Sequence, residues 1–163
     1  LHLDANLVSQ GLNANWENVT DTTFKGNLNA ATGETFVAYC FASVDGFSRF
    51  GGYTGSGKSN FIYLGFTPSF VMVKATTNNS NWQIKDSKRN ESAYSTSRIF
   101  NPVSENLAPN LRSAHTDDTD IDFLSNGFRI DVGASNNLQY NTSNIKYIYM
   151  AFAENPFKYT NGK

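Results

Sequence analysis

Short runs of β-branched and aromatic residues alternate along the chain with clusters of Gly, Asn, Ser and Pro, the punctuation of an all-β domain. The runs predict strands near residues 35–42, 47–53, 61–66, 69–75, 82–86, 121–123, 127–132 and 147–153. Thr67-Pro68-Ser69 separates two of them as a tight connection. Ser125-Asn126-Gly127 puts a glycine where a hairpin turn can need positive φ, so residues 122–130 read as a hairpin. No window sustains an apolar period of 3.6. The best helical candidate, residues 92–110, is mostly polar and is broken by Pro102 and Pro109, so it reads as a long surface loop. The expected architecture is an antiparallel, sandwich-like (jelly-roll-like) single domain with long loops.

The first 32 residues are rich in Asn and Thr with scattered apolar positions, and they read as an N-terminal extension or the end of a preceding module, leaving residues 33–163 as the β-sandwich module. An opening on Leu1 rather than Met suggests an excised piece. Residues 35–42 and 146–153 share an aromatic residue near the start and a Phe-Ala ending. Tandem modules would explain the likeness, and so would two ordinary core strands of similar composition.

The sequence has 163 residues, a size that fits one domain with one sizeable core. Charge narrows the function classes. Thirteen basic and 14 acidic residues give a net charge of −1, which offers no cationic surplus for phosphates and argues against nucleic-acid binding by counterion release. No apolar run approaches the roughly 20 residues of a helical membrane span. The single cysteine, Cys40, forms no internal disulfide, and its apolar surroundings from Phe36 to Ala42 predict a buried, inert thiol.

One motif matches a known expression at every fixed position: Gly52-Tyr53-Thr54-Gly55-Ser56-Gly57-Lys58-Ser59 fits the P-loop pattern G-x-x-x-x-G-K-[ST]. A P-loop needs a buried strand before it and a helix after it, so that backbone amides and a helix N-terminus hold the phosphates. Here the segment after Ser59 is β-branched and aromatic, which predicts a Gly-rich loop between strands. Downstream, Asp117, Asp118, Asp120 and Asp122 crowd into six residues, and strand alternation would send Asp118, Asp120 and Asp122 to one face as hard ligands for Ca²⁺. The same charges on an edge strand would simply discourage strand addition. No catalytic residue is assigned, because His2 and His115 are the only histidines and any chain with 14 acids offers carboxylate pairs. Four Asn-x-Ser/Thr sequons follow from the composition and carry no inference. Aromatics make up 14% of the chain, and those lying in polar segments, Tyr53, Trp82 and Tyr94, are candidates for binding a glycan or a partner.

From about residue 33 to 158 the sequence resembles a family of β-rich modules of unassigned function in the tail and tail-fibre-like proteins of tailed bacteriophages, notably marine ones. The resemblance is carried by residues 36–43, by Phe50-Gly51-Gly52-Tyr53-Thr54-Gly55, by residues 65–74, by Trp82 with Asp86-Ser87-Lys88-Arg89, by residues 120–128, and by Tyr147-Ile148-Tyr149-Met150-Ala151-Phe152-Ala153-Glu154-Asn155-Pro156-Phe157. It implies a non-enzymatic virion component on the particle's exterior, assembled in the bacterial cytoplasm, with other virion proteins and a host-surface glycan or receptor as partners. A homotrimeric parent is implied as well. The alternatives are a decoration or assembly module that binds no glycan, and a glycan-degrading depolymerase using the 117–122 carboxylates. The resemblance implies no cofactor.

Overall fold

The computed structural model describes residues 16–17, 20, 22–23, 25–26, 39–88, 103, 105–113, 116–117, 121–130 and 137–156. Among these residues there are eleven strands and one helical turn, all strand pairs being antiparallel. The strands are β1 (Trp16–Glu17), β2 (Lys25–Gly26), β3 (Ser48–Thr54), β4 (Asn60–Tyr63), β5 (Pro68–Ala75), β6 (Gln83–Asp86), β7 (Glu105–Asn106), β8 (Thr116–Asp117), β9 (Ile121–Leu124), β10 (Gly127–Ile130) and β11 (Lys146–Ala153), with the turn α1 (Asn137–Tyr140) before β11. The chain divides into two compact units, Ser9–Cys40 and the remainder. The first contains the β1–β2 ribbon, pairing Trp16 with Gly26 and Glu17 with Lys25.

The larger unit is an antiparallel sandwich. One sheet has the order β4-β10-β9, the other β3-β11-β5-β6, and β7 and β8 form a separate ribbon. Successive strands change sheets, β3 to β4 through residues 55–59 and β4 to β5 through 64–67. Side-chain alternation builds the core between the sheets. The small sheet contributes Ile62, Ile121, Phe123, Phe128 and Ile130, and the large one Val71, Val73, Ala75, Tyr147 and Ala151. The Phe128 ring meets Tyr149 of the opposite sheet edge to face, with centroids 5.7 Å apart. On the other face of the large sheet the alternate residues Phe50, Phe70 and Phe152 form a second aromatic group with Phe41 and Phe47.

Seven of the eight expected strands correspond to observed ones, and the all-β sandwich class is the one observed. The differences have physical causes. Residues 39–42 form no strand, and Cys40 is exposed rather than buried, as are Tyr39 and Phe41. The chain doubles back here: Val44 and Ser48 exchange backbone hydrogen bonds of 2.9–3.0 Å, and the Ser48 hydroxyl donates to the Ala42 carbonyl at 3.0 Å. An apolar run predicts burial only where a sheet has a vacant lane, and β11 takes the lane beside β3. The likeness of residues 35–42 to β11 therefore does not extend to a shared strand over 39–42.

The expected long loop at 92–110 is not all surface. Val103 belongs to the core, Glu105 and Asn106 form β7, and Leu107 bridges Ile84, while residues 92–102 and 104 lie outside the described residues. The predicted hairpin is present as β9–β10, but Gly127 does not have positive φ. A side chain is excluded there because a Cβ would come within 2.2 Å of the Ile62 carbonyl oxygen on β4.

Candidate functional site

The Gly-rich loop from Gly55 to Ser59 joins the end of β3 to the start of β4, so a strand stands where a P-loop has its helix. Its amides are already engaged. Gly55 N donates to Ile145 O at 2.8 Å, Ser56 N to the Asn141 Oδ1 at 2.8 Å, Gly57 N to Asn141 O at 2.9 Å, and Lys58 N to the Ser56 hydroxyl at 3.1 Å. The Asn141 side-chain amide also donates to the Lys58 carbonyl. A phosphate cradle is made of successive amides pointing at the ligand; three of these point into the 141–145 turn and the fourth into the loop itself. The segment is a structural clasp, and Asn141, fully buried, is its centre.

Tyr53 belongs to the same packed end. Its ring stacks on Tyr147 at 5.1 Å with an interplanar angle of 10°, and its hydroxyl donates to the Tyr140 carbonyl at 2.7 Å. The Tyr140 hydroxyl in turn donates to Asn106 Oδ1 at 2.9 Å, and the Asn106 amide to Gln83 Oε1. Burial, and next the neighbouring Tyr147, push the Tyr53 hydroxyl well above the usual tyrosine range. Tyr53 thus packs against the core with its polar end occupied, and its half-buried ring also lines a shallow hollow with Gly52, Thr76 and Lys146. Trp82 is 7% exposed and lines a hollow of about 280 Å³ on the outer face of the large sheet, with Phe50, Met72, Ile148 and Met150. Tyr94 lies outside the described residues.

Asp118 and Asp120 lie outside the described residues, and Asp122, on β9, accepts from Arg129 of β10 at 2.6 and 3.2 Å. An arginine opposite it in the ladder takes the carboxylate that was expected to face Ca²⁺. Among the described residues no three His, Cys, Asp or Glu side chains are grouped to hold a metal ion. No helix among them is long and apolar enough to cross a membrane.

Polar and aromatic groups do converge on a cleft of about 480 Å³ between the start of β3 and the end of β4, lined by Asp45, Gly46, Arg49, Tyr63, Leu64, Gly65, Phe66 and Asn155. β3 and β4 are edge strands of opposite sheets, so the cleft opens where the sandwich has no further strand to close it. Over residues 61–66 exposure alternates, with Ile62, Leu64 and Phe66 buried and Tyr63 60% exposed. Gly65, at φ 85°, lies under the Tyr63 ring, and a Cβ there would meet the Tyr63 hydroxyl oxygen at 3.5 Å. The side chains of Asp45, Arg49, Tyr63 and Asn155 make no hydrogen bond or ion pair among the described residues, so their polar heads are available to a ligand. The cleft therefore presents one aromatic face, one carboxylate, one guanidinium and one amide. None of the four was singled out from sequence. The one signal was the alternation of 61–66, which marks Tyr63 as outward-facing; proximity to residues 45–49 and 155 is set by the fold.

No curated protein and no solved structure matches the chain. A family model does match, over residues 1–156, and so includes the first 32 residues that the phage-module resemblance leaves aside. With nearly its whole length covered, the chain belongs to the family described as Domain of unknown function (DUF7483).

Proposed function

We propose that this chain is a non-enzymatic recognition module of a tailed-phage virion, part of a tail or tail fibre, which holds a host-surface glycan in the β3/β4 cleft. The observation that carries the binding role is the convergence of Tyr63, Asp45, Arg49 and Asn155 on one open cleft. An aromatic face stacks on the C–H side of a sugar ring, while planar amide, carboxylate and guanidinium groups exchange hydrogen bonds with its hydroxyls. Recognition is favoured over hydrolysis because, among the described residues, the cleft is lined by a single carboxylate, Asp45, whereas glycoside hydrolysis ordinarily uses two across the scissile bond. The virion setting, the exterior location and a homotrimeric parent come from the resemblance to phage tail modules.

The test is binding of the whole chain to host-cell polysaccharide, followed by measurement of glycan length. Saturable binding that Tyr63→Ala weakens by about tenfold or more, with glycan length unchanged, is expected. Binding that survives Tyr63→Ala moves the site elsewhere, and shortened glycan replaces recognition by depolymerisation.

A further inference from the structure

We infer that the β3/β4 cleft selects an uncharged pyranose bearing neighbouring hydroxyls over an acidic sugar, an inference that rests on the glycan reading above. Three features of the cleft lead to it. Tyr63 holds a mostly exposed ring against Gly65, whose backbone leaves no side chain beneath it, so one aromatic side faces the opening. Asp45 and Arg49 line the same cleft without forming an ion pair with each other, so each keeps its charge and its hydrogen-bonding capacity for the ligand. Their formal charges cancel.

Hydrogen-bond accounting then separates the two ligand classes. An ionised Asp45 accepts only, Arg49 donates only, and Asn155 does both. A pair of sugar hydroxyls donates and accepts, so it serves all three at once. A uronate keeps ring hydroxyls for Asp45, but its carboxylate, placed against Arg49, takes the cation that balances Asp45 and puts a second anion in the same cleft, the more costly of the two outcomes.

Titrations of the whole chain with neutral hexose oligosaccharides and with uronate oligosaccharides of matched length, at about 0.05 and 0.5 M NaCl, test this. Neutral members bind more tightly than uronates, with affinity changing less than about threefold between the two salt levels because no net charge is neutralised. Asp45→Asn weakens neutral binding by about tenfold. Tighter uronate binding, a steep loss with salt, or an Asp45→Asn variant that gains affinity would each overturn the neutral-sugar assignment and leave the glycan reading standing. If no glycan of either class binds to chain whose melting profile is intact, the glycan reading falls, and this assignment with it.

Discussion

The two edge strands β3 and β4 have two ends, and the ends are built in opposite ways. Where β3 runs into β4, residues 55–59 give four successive amides to the chain's own acceptors, and Asn141 fills the middle. At the start of β3 and the end of β4, four polar or aromatic side chains line a cleft and make no hydrogen bond or ion pair among the described residues. The first end matches a nucleotide-binding expression letter for letter; the second matches none. A motif states which residues are present, whereas binding depends on which donors and acceptors the fold leaves unspent.

The contrast is broken most forcefully at Asn141. Asn141→Ala leaves Ser56 N without its acceptor and the Lys58 carbonyl with the Ser56 hydroxyl alone, around a side chain that is itself fully buried, and a loss of about 2 kcal/mol is expected from denaturant midpoints. The chain that remains folded should bind glycan as the parent does. Tyr63→Ala does the reverse: affinity falls by about tenfold while stability changes by no more than about 0.5 kcal/mol, because the ring is mostly exposed.

Tyr53→Phe removes one hydrogen bond at the closed end and should cost about 1 kcal/mol. It also tests the pH behaviour. The Tyr53 hydroxyl is raised in the folded state, so above about pH 10 the unfolded chain releases that proton first and stability falls as pH rises; the variant should fall less steeply. Lys74, lowered by burial, acts in the opposite direction as pH rises towards 10.5, so the comparison is between the two slopes rather than with a flat line. The smallest effect belongs to Lys58→Ala. Its side chain is exposed, so stability should move by less than about 0.5 kcal/mol. Mg-ATP should not raise the melting temperature of either the parent or this variant, and a rise in the parent alone would mean that the loop opens to phosphate.

Strands with β-branched alternation, such as β5 with Val71-Met72-Val73 and β11 with Tyr147 to Ala153, were legible in the sequence because burial on a sheet leaves a local pattern. So was the β9–β10 turn, although Gly127 is there for close approach to β4 rather than for turn geometry. The two-residue ribbons and α1 were not legible, being too short to carry a period. Cys40 misled because composition records hydrophobicity and not whether a lane is vacant. The cleft was invisible for a related reason. Asp45 and Arg49 lie near one another in sequence, but Tyr63 and Asn155 reach them only because successive strands change sheets.

That alternation also sets an order of events. β11 lies between β3 and β5, pairing with both along most of its length, yet it follows both in the chain and is made after every other described strand. Until it inserts, β3 and β5 have no common partner, and Tyr53 and Val73 lack the rings and strand they pack against. Folding is therefore governed by a late, long-range closure, in the millisecond-to-second range of about 10⁰ to 10³ s⁻¹ typical of non-local β topologies. A chain that ends before Ala153 is expected to expose the inner faces of both sheets and to meet other chains before it meets itself.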